Sequence, residues 1–185
     1  MLRLRRSKSY LEWGSGGSTV LAARMGVPFV SIESDRAHLS AVAARIRSET
    51  PGPKSSQRFI HADIGSTGAW GYPALDGEPS ALRAEAFRRY SDFPRFELTE
   101  PFPDLVLVDG RFRVACSLKA LRALSARNLD SLLLVDDYGV RSHYREIARH
   151  ASQQTQIGNL AVFRPRGTAT EALHAAIERY ELDSR

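Results

Sequence analysis

The sequence predicts an α/β fold, a three-layer sandwich in which helices cover both faces of a mostly parallel sheet, and three observations carry that prediction. Strand-like apolar runs alternate with helical stretches along the chain, as strand–helix–strand units with right-handed crossovers require. Two of the runs, Asp104-Leu105-Val106-Leu107-Val108 and Ser131-Leu132-Leu133-Leu134-Val135, are almost continuously apolar, the mark of strands buried on both faces. Finally, the predicted strands end in acids: Glu12 just ahead of a turn, then Glu33, Asp63, Asp109 and Asp136.

Tyr10 to Trp13 is the first short strand and stops at the turn Gly14-Ser15-Gly16-Gly17. Ser18 to Met25 reads as a helix, stopped by Gly26 and Pro28, since glycine suits a helix end and proline cannot extend one. Pro28 to Ile32 is β-branched and aromatic and predicts a strand ending at Glu33. Asp35 suits the N-cap of a helix to about Ser48, with Leu39, Val42, Ala43 and Ile46 three and four apart. Thr50-Pro51-Gly52-Pro53 breaks it, and Arg58 to Ala62 forms a third strand ending at Asp63.

Residues 64–102 differ in character. Glycines and prolines interleave there with Trp70, Tyr72, Phe87, Tyr90, Phe93 and Phe96, around one short helix near Ser80–Tyr90. A compact domain seldom carries so long an irregular connection unless it covers something, so a lid or substrate insertion is expected. After the strand that ends at Asp109-Gly110, Ala115 to Leu124 is helical, and the strand from Ser131 ends at Asp136-Asp137. Arg141 to Ala151 reads as helix and Leu160 to Phe163 as strand. The final helix runs from Thr168 to Tyr180 and opens with the capping box Thr168-x-x-Glu171.

The 185 residues form a single domain, 1–185, large enough to bury a core unaided. Apolar residues at 43% and charged residues at 25% are the mixture of a soluble globular chain. No apolar run approaches the roughly 18–20 residues that cross a bilayer, and the basic start is followed by no apolar leader segment. Cys116 is the sole cysteine, which rules out an intrachain disulfide and a thiolate metal cage; it falls on an apolar helix face and reads as core. A cytoplasmic location is expected. Of the net charge of +5, Arg3, Arg5, Arg6 and Lys8 supply four in a stretch without acids, leaving 22 of the 26 basic residues against 21 acids. The excess reads as a solvated terminus rather than a nucleic-acid surface.

Chemistry concentrates at the strand ends. Gly14, Gly16 and Gly17 let the backbone turn sharply and approach a ligand, with the amides of the next helix directed at it. Thr19 stands where the dinucleotide fingerprint G-x-G-x-x-G has its third glycine. Glu33 follows about 20 residues on, where a carboxylate accepts both hydroxyls of a ribose. Together these features favour nucleoside binding over a merely tight strand-to-helix corner.

Glu12-Trp13-Gly14-Ser15-Gly16-Gly17-Ser18-Thr19 resembles the E/D-x-G-x-G-x-S/T loop of class I, Rossmann-like S-adenosylmethionine-dependent methyltransferases. Ser31-Ile32-Glu33-Ser34-Asp35 resembles the ribose-binding strand end of that family, and His61-Ala62-Asp63-Ile64 stands where its adenine-binding acid is expected. The resemblance covers about residues 9–165. It implies S-adenosylmethionine as cofactor, with Glu12, Gly14, Ser15, Gly16, Gly17 and Thr19 around the methionine moiety. It further implies Glu33 and Ser34 at the ribose, Asp63 and Ile64 at the adenine, and a closing antiparallel hairpin with Leu160–Phe163 as one strand. The family usually has a helix ahead of the first strand; with nine residues before Tyr10, that helix is expected to be short or absent.

Asp109 is the expected catalytic base. With Asp136 and Asp137 it also resembles the acid set of catechol-type O-methyltransferases, with Asp137 in place of an asparagine, which implies a divalent cation such as magnesium. The alternative is that these aspartates cap helices and turns. Arg111, Arg113, Tyr138 and Arg141 lie near the same edge and either receive an anionic substrate or balance the aspartates. Trp70 and Tyr72 either wall the substrate or anchor their loop. His38, His61, His143, His150 and His174 are expected at the surface or at caps. The leading expectation is a methyltransferase acting on a small molecule, with metal-assisted O-methylation as one form of it and a homodimer left open. The alternatives are a non-catalytic S-adenosylmethionine-binding protein and an NAD-dependent oxidoreductase.

Overall fold

Seven strands in the order β3-β2-β1-β4-β5-β7-β6 form the sheet of a computed structural model that describes residues 2–50, 56–94, 102–127, 130–167 and 170–185. The strands are β1 (Tyr10–Trp13), β2 (Phe29–Glu33), β3 (Gln57–His61), β4 (Leu105–Val108), β5 (Leu132–Val135), β6 (Ala151–Ile157) and β7 (Leu160–Pro165). Strands β1 to β5 pair in parallel, and β7 runs antiparallel to both β5 and β6. The α/β sandwich and its C-terminal hairpin are therefore present.

Strand residues alternate strictly between two cores. Leu11, Trp13, Val30, Ile32, Val106, Val108, Leu133 and Val135 face one of them. Tyr10, Phe29, Leu105 and Leu132 face the other. The first core is closed by α5 (Arg113–Ser125), packed against α4 (Ala81–Ser91), α6 (Arg145–His150) and α7 (Glu171–Tyr180). The second is closed by α2 (Gly17–Arg24) and α3 (Arg36–Glu49). The same period of two carries Glu12, Glu33, Asp109 and Asp136 onto the α2–α3 side.

The predicted cap Asp35 accepts the His38 amide at 2.9 Å. At the last helix the cap is Thr170, which accepts the Leu173 amide at 3.2 Å; Thr168 of the expected capping box lies outside the described residues, as do Pro51-Gly52-Pro53 and Phe96. Helix α1 (Leu2–Arg6) is the short helix expected ahead of β1; it buries Leu4 in the α2–α3 core while Arg3, Arg5 and Arg6 stay exposed. One element differs from expectation. The helix expected over 141–151 is a 3₁₀ turn at Ser142–Tyr144 followed by the short α6. The chain then enters β6, which is polar and exposed along most of its length. Among the described residues no helix is long and apolar enough to cross a membrane.

Candidate active site

The turn after β1 meets the turn after β4 at backbone contact. Gly14 has φ +94, and a β-carbon there would sit 2.7 Å from the Gly110 amide nitrogen and 2.8 Å from the Asp109 carbonyl carbon. A β-carbon on Gly16 or Gly17 would meet nothing within 4 Å. The three glycines thus serve different ends: Gly14 lets two strand ends close on each other, while Gly16 and Gly17 leave space above the turn.

Glu12, expected to face a ligand, is instead fully buried. Its carboxylate accepts hydroxyls from Tyr10 at 2.8 Å, Ser18 at 2.6 Å, Ser31 at 2.8 Å, and Thr19. Burial lifts its pKa above the ordinary carboxylate value, and the four hydroxyls pull it back. Thr19 Oγ1 in turn accepts the Gly16 amide at 2.8 Å. Because the Ser31 proton goes to Glu12, the 2.7 Å contact between Ser15 and Ser31 is donated by Ser15. Glu12 shapes the glycine turn from beneath.

Glu33 closes the turn from the side. One carboxylate oxygen accepts the Ser15 amide at 3.1 Å, and the other accepts the amides of Ser34 at 2.7 Å and Asp35 at 3.0 Å. The acid of β2 and the glycine turn of β1, 18 residues apart in sequence, are thus joined directly. His38 on α3 reaches the same turn, its Nε2 at 2.9 Å from the Ser15 carbonyl, and His61 Nε2 lies 3.1 Å from the Ser34 carbonyl. Carbonyls only accept, so both nitrogens carry protons. His38 is exposed and His61 half-buried, at the surface as expected; what was not expected is their hold on the loops, since their partners lie across loops and leave no local pattern to read.

Asp109, Asp136 and Asp137 do come together, but around a guanidinium. Arg113, 4% exposed, places Nη2 3.0 Å from Asp109 and Nη1 3.2 Å from Asp137 and 4.0 Å from Asp136, while its Nε donates to the Gly110 carbonyl at 2.9 Å. The expected cation position is therefore filled by a side chain, and among the described residues no group of three or more His, Cys, Asp or Glu is arranged to hold a metal ion. Arg113 is accordingly committed to charge balance rather than substrate. Partial burial, with Asp136 and Asp137 nearby, raises the Asp109 carboxyl to about 6 against the opposing pull of Arg113.

Above these strand ends lies the loop after β3. Trp70 has φ +59 and is 88% exposed. Arg83 on α4 staples the loop by donating to the carbonyls of Ile64 at 3.0 Å, Ala74 at 2.7 Å, and Ser66. Asp63 is exposed and accepts the Gly65 amide at 2.8 Å. Two expected ligand residues are core instead: Ile64 is fully buried in the α5-side cluster, and Tyr138 packs edge-on against Phe163 with centroids 5.1 Å apart. Tyr72 meets Arg141, whose Nη1 donates to the phenol oxygen at 3.2 Å, and Arg111, whose Cζ is 4.3 Å from the ring centroid.

Two clefts flank the turn. The larger, about 490 Å³, is lined by Gly14 to Ser18, Asp109 and Asp136, with Tyr10, Leu107 and Leu134 as its apolar floor. The smaller, about 120 Å³, lies between Glu33, Ser34, Asp109, Arg111 and the Trp70-Gly71 segment.

A parallel sheet closed by an antiparallel hairpin, with a glycine turn latched to the acid of the next strand, is the class I, Rossmann-like methyltransferase arrangement, and the chain belongs to that family. It is 31% identical, with a TM-score of 0.79, to a methyltransferase-like protein from Silicibacter pomeroyi, over 98% of this chain and 93% of the other. A TehB-like SAM-dependent methyltransferase from Corynebacterium glutamicum is 14% identical over 86% of this chain and 80% of its own, at a TM-score of 0.46. The N-methyltransferase NodS from Bradyrhizobium japonicum is 15% identical over 89% and 91%, at 0.49. No protein-family model and no curated protein matches the chain.

Proposed function

We propose that this protein binds S-adenosylmethionine and transfers its methyl group to a small molecule in the cytoplasm. The observation that carries the reading is the 3.1 Å bond from the Ser15 amide to Glu33, which sets a ribose-type acid against an open glycine turn beside Asp109. The donor set fits the cofactor. Gly16 and Gly17 leave room for it, and the carboxylate of Glu33 suits its ribose hydroxyls. The exposed Asp63 suits its adenine amine. The bound sulfonium supplies an electrophilic methyl carbon, and its sulfur is already a good leaving group.

The residues of this chain then have three tasks. The turn, braced by Glu12 and His38, aligns donor and acceptor, which is where most of the rate of such a displacement arises. Asp109, with its carboxyl near 6, accepts the acceptor's proton as a general base. Arg113 holds Asp109 in place and prevents three carboxylates from repelling one another. The three aspartates are turned onto Arg113 and do not fit a divalent cation.

Calorimetry with S-adenosylmethionine, S-adenosylhomocysteine and NAD tests the reading. Saturable heat with the first two and none with NAD is expected, and E33A should weaken binding at least tenfold, about 1.4 kcal/mol. Absence of heat from the adenosyl ligands in folded protein would refute it. Methyl transfer from labelled cofactor into a metabolite pool then separates an enzyme from a binding protein.

A further inference from the structure

Three arginines stand at the strand ends, and two of them have anionic partners. Arg113 is held by three aspartates, and Arg141 lies 3.4 Å from Asp137. Arg111 is different. It is 8% exposed, its Nη1 is buried without a hydrogen-bond partner, and the group against it is the face of the Tyr72 ring. A buried guanidinium is stable when its donors meet acceptors, above all anionic ones, and Tyr72 leaves Nη1 without one.

The position of Tyr72 shows where such an acceptor would lie. Its hydroxyl oxygen takes a hydrogen bond from Arg141 Nη1 at 3.2 Å while its ring covers Arg111. That bond, with the second guanidinium beside it, holds the phenol's pKa below its ordinary value. Tyr72 thus offers a weak acceptor at a place built for a stronger one. It does so from a segment with two consecutive positive-φ residues, Trp70 at +59 and Gly71 at +73, stapled by Arg83 at Ser66 and Ala74 on either side. Arg111, Asp109 and Trp70 line the same small cleft, so a group seated on Arg111 belongs to a molecule that also reaches the catalytic carboxylate.

We infer that Arg111 and Arg141 form a receptor for one carboxylate or phosphate group of the methyl acceptor, covered by Tyr72 until the 69–73 segment lifts. The inference rests on the methyltransferase reading for the word acceptor. The same chemistry could come from the cofactor's own carboxylate, and the test separates the two.

Inorganic phosphate at constant ionic strength is the probe, titrated into the full-length protein with and without S-adenosylhomocysteine. Trp70 sits in the moving segment, whereas Trp13 is buried and donates to the Tyr90 carbonyl at 3.0 Å, so tryptophan emission reports the segment and W70F is its blank. A saturable millimolar response is expected in wild type, lost in W70F, weakened at least tenfold in R141Q and R111Q, and unchanged in R47Q, an exposed arginine of α3. Y72F removes the competing hydroxyl and should tighten phosphate about threefold or more, an opposite effect that survives even if R111Q fails to fold. Equal phosphate affinity in wild type, R141Q and Y72F would overturn the receptor. If phosphate competes with S-adenosylhomocysteine, and R141Q loses that ligand but keeps 5′-methylthioadenosine, the site belongs to the cofactor and the acceptor assignment fails. If no adenosyl ligand binds but phosphate still responds to Y72F and R141Q, the methyltransferase reading falls and the anion receptor stands.

Discussion

Substituting alanine at two glycines only three residues apart should have opposite consequences. At Gly14 the new methyl group would lie 2.7 Å from one backbone nitrogen and 2.8 Å from a backbone carbon of the Asp109–Gly110 peptide, at φ +94. The left-handed conformation costs about 1–2 kcal/mol for an L-residue, and overpacking against backbone, which has no rotamer to change, adds about 1–3 kcal/mol. A total near 4 kcal/mol corresponds to a Tm about 8–16 °C lower in a chain of this size. At Gly17 the methyl group meets nothing within 4 Å, the residue opens α2, and it lines the larger cleft. G17A should therefore leave stability unchanged or up to about 1 kcal/mol higher, since alanine is the better helix former, while weakening adenosyl-ligand binding at least tenfold. Thermal unfolding and calorimetry on the two variants read both quantities. A G14A protein melting within 2 °C of wild type, or a G17A protein binding with full affinity, would refute the division of labour within the turn.

If Asp109 is the base, its proton must be absent for turnover, so kcat/KM should rise as pH climbs through about 6, and D109N should lose that limb. Since the folded-state value lies above the ordinary one, stability falls as pH rises from 3.8 through about 6 and the loss is complete above that; D109N should be no less stable than wild type at neutral pH, as paired melts will show. E12A strands the hydroxyls of Tyr10, Thr19 and Ser31 in the interior and, at about 1–2 kcal/mol each, should cost about 4 kcal/mol in urea unfolding; an unchanged midpoint would show that Glu12 does not brace the turn. K119A removes a buried ammonium that bonds Asp92 at 2.7 Å and Glu181 at 2.8 Å and should cost about 3 kcal/mol, whereas K119M, which keeps the apolar stem, should lose less by the same measurement.

The parts of this molecule legible in its sequence are those governed by local pattern. Continuous apolar runs located β4 and β5, and the spacing of Leu39, Val42 and Ile46 located α3. The alternation of element types implied the layers. Strand β6 escaped because Ser152-Gln153-Gln154-Thr155-Gln156 is an exposed edge, bulged between Gln153 and Thr155, where no buried face imposes an apolar rhythm. The site divides similarly. The proximity of Glu33 to the glycine turn followed from strand order. The fate of the charges did not, because which arginine meets which aspartate depends on contacts across turns: Arg113 and Arg111, two residues apart, point to opposite fates. Ile64 was assigned by motif position, but three residues past the end of β3 it is buried in the α5-side core. Arg83 and His38 brace the loops from neighbouring helices, and neither carries any mark of that task in its own segment.

The strict parity of the strands has a consequence for how this architecture can change. Glu12, Glu33, Asp109 and Asp136 share a side only because each strand keeps its count. Deleting one residue within Leu105–Val108 would swing Asp109 toward the opposite hydrophobic layer and bring an aliphatic side chain to the cleft. Substitutions at the acids at or just beyond the strand ends, Glu33, Asp109 and Asp136, can therefore diversify the chemistry one position at a time, whereas changes in length are confined to the connections, and beyond Gly110 only past Arg113, whose hold on the aspartates they must leave intact.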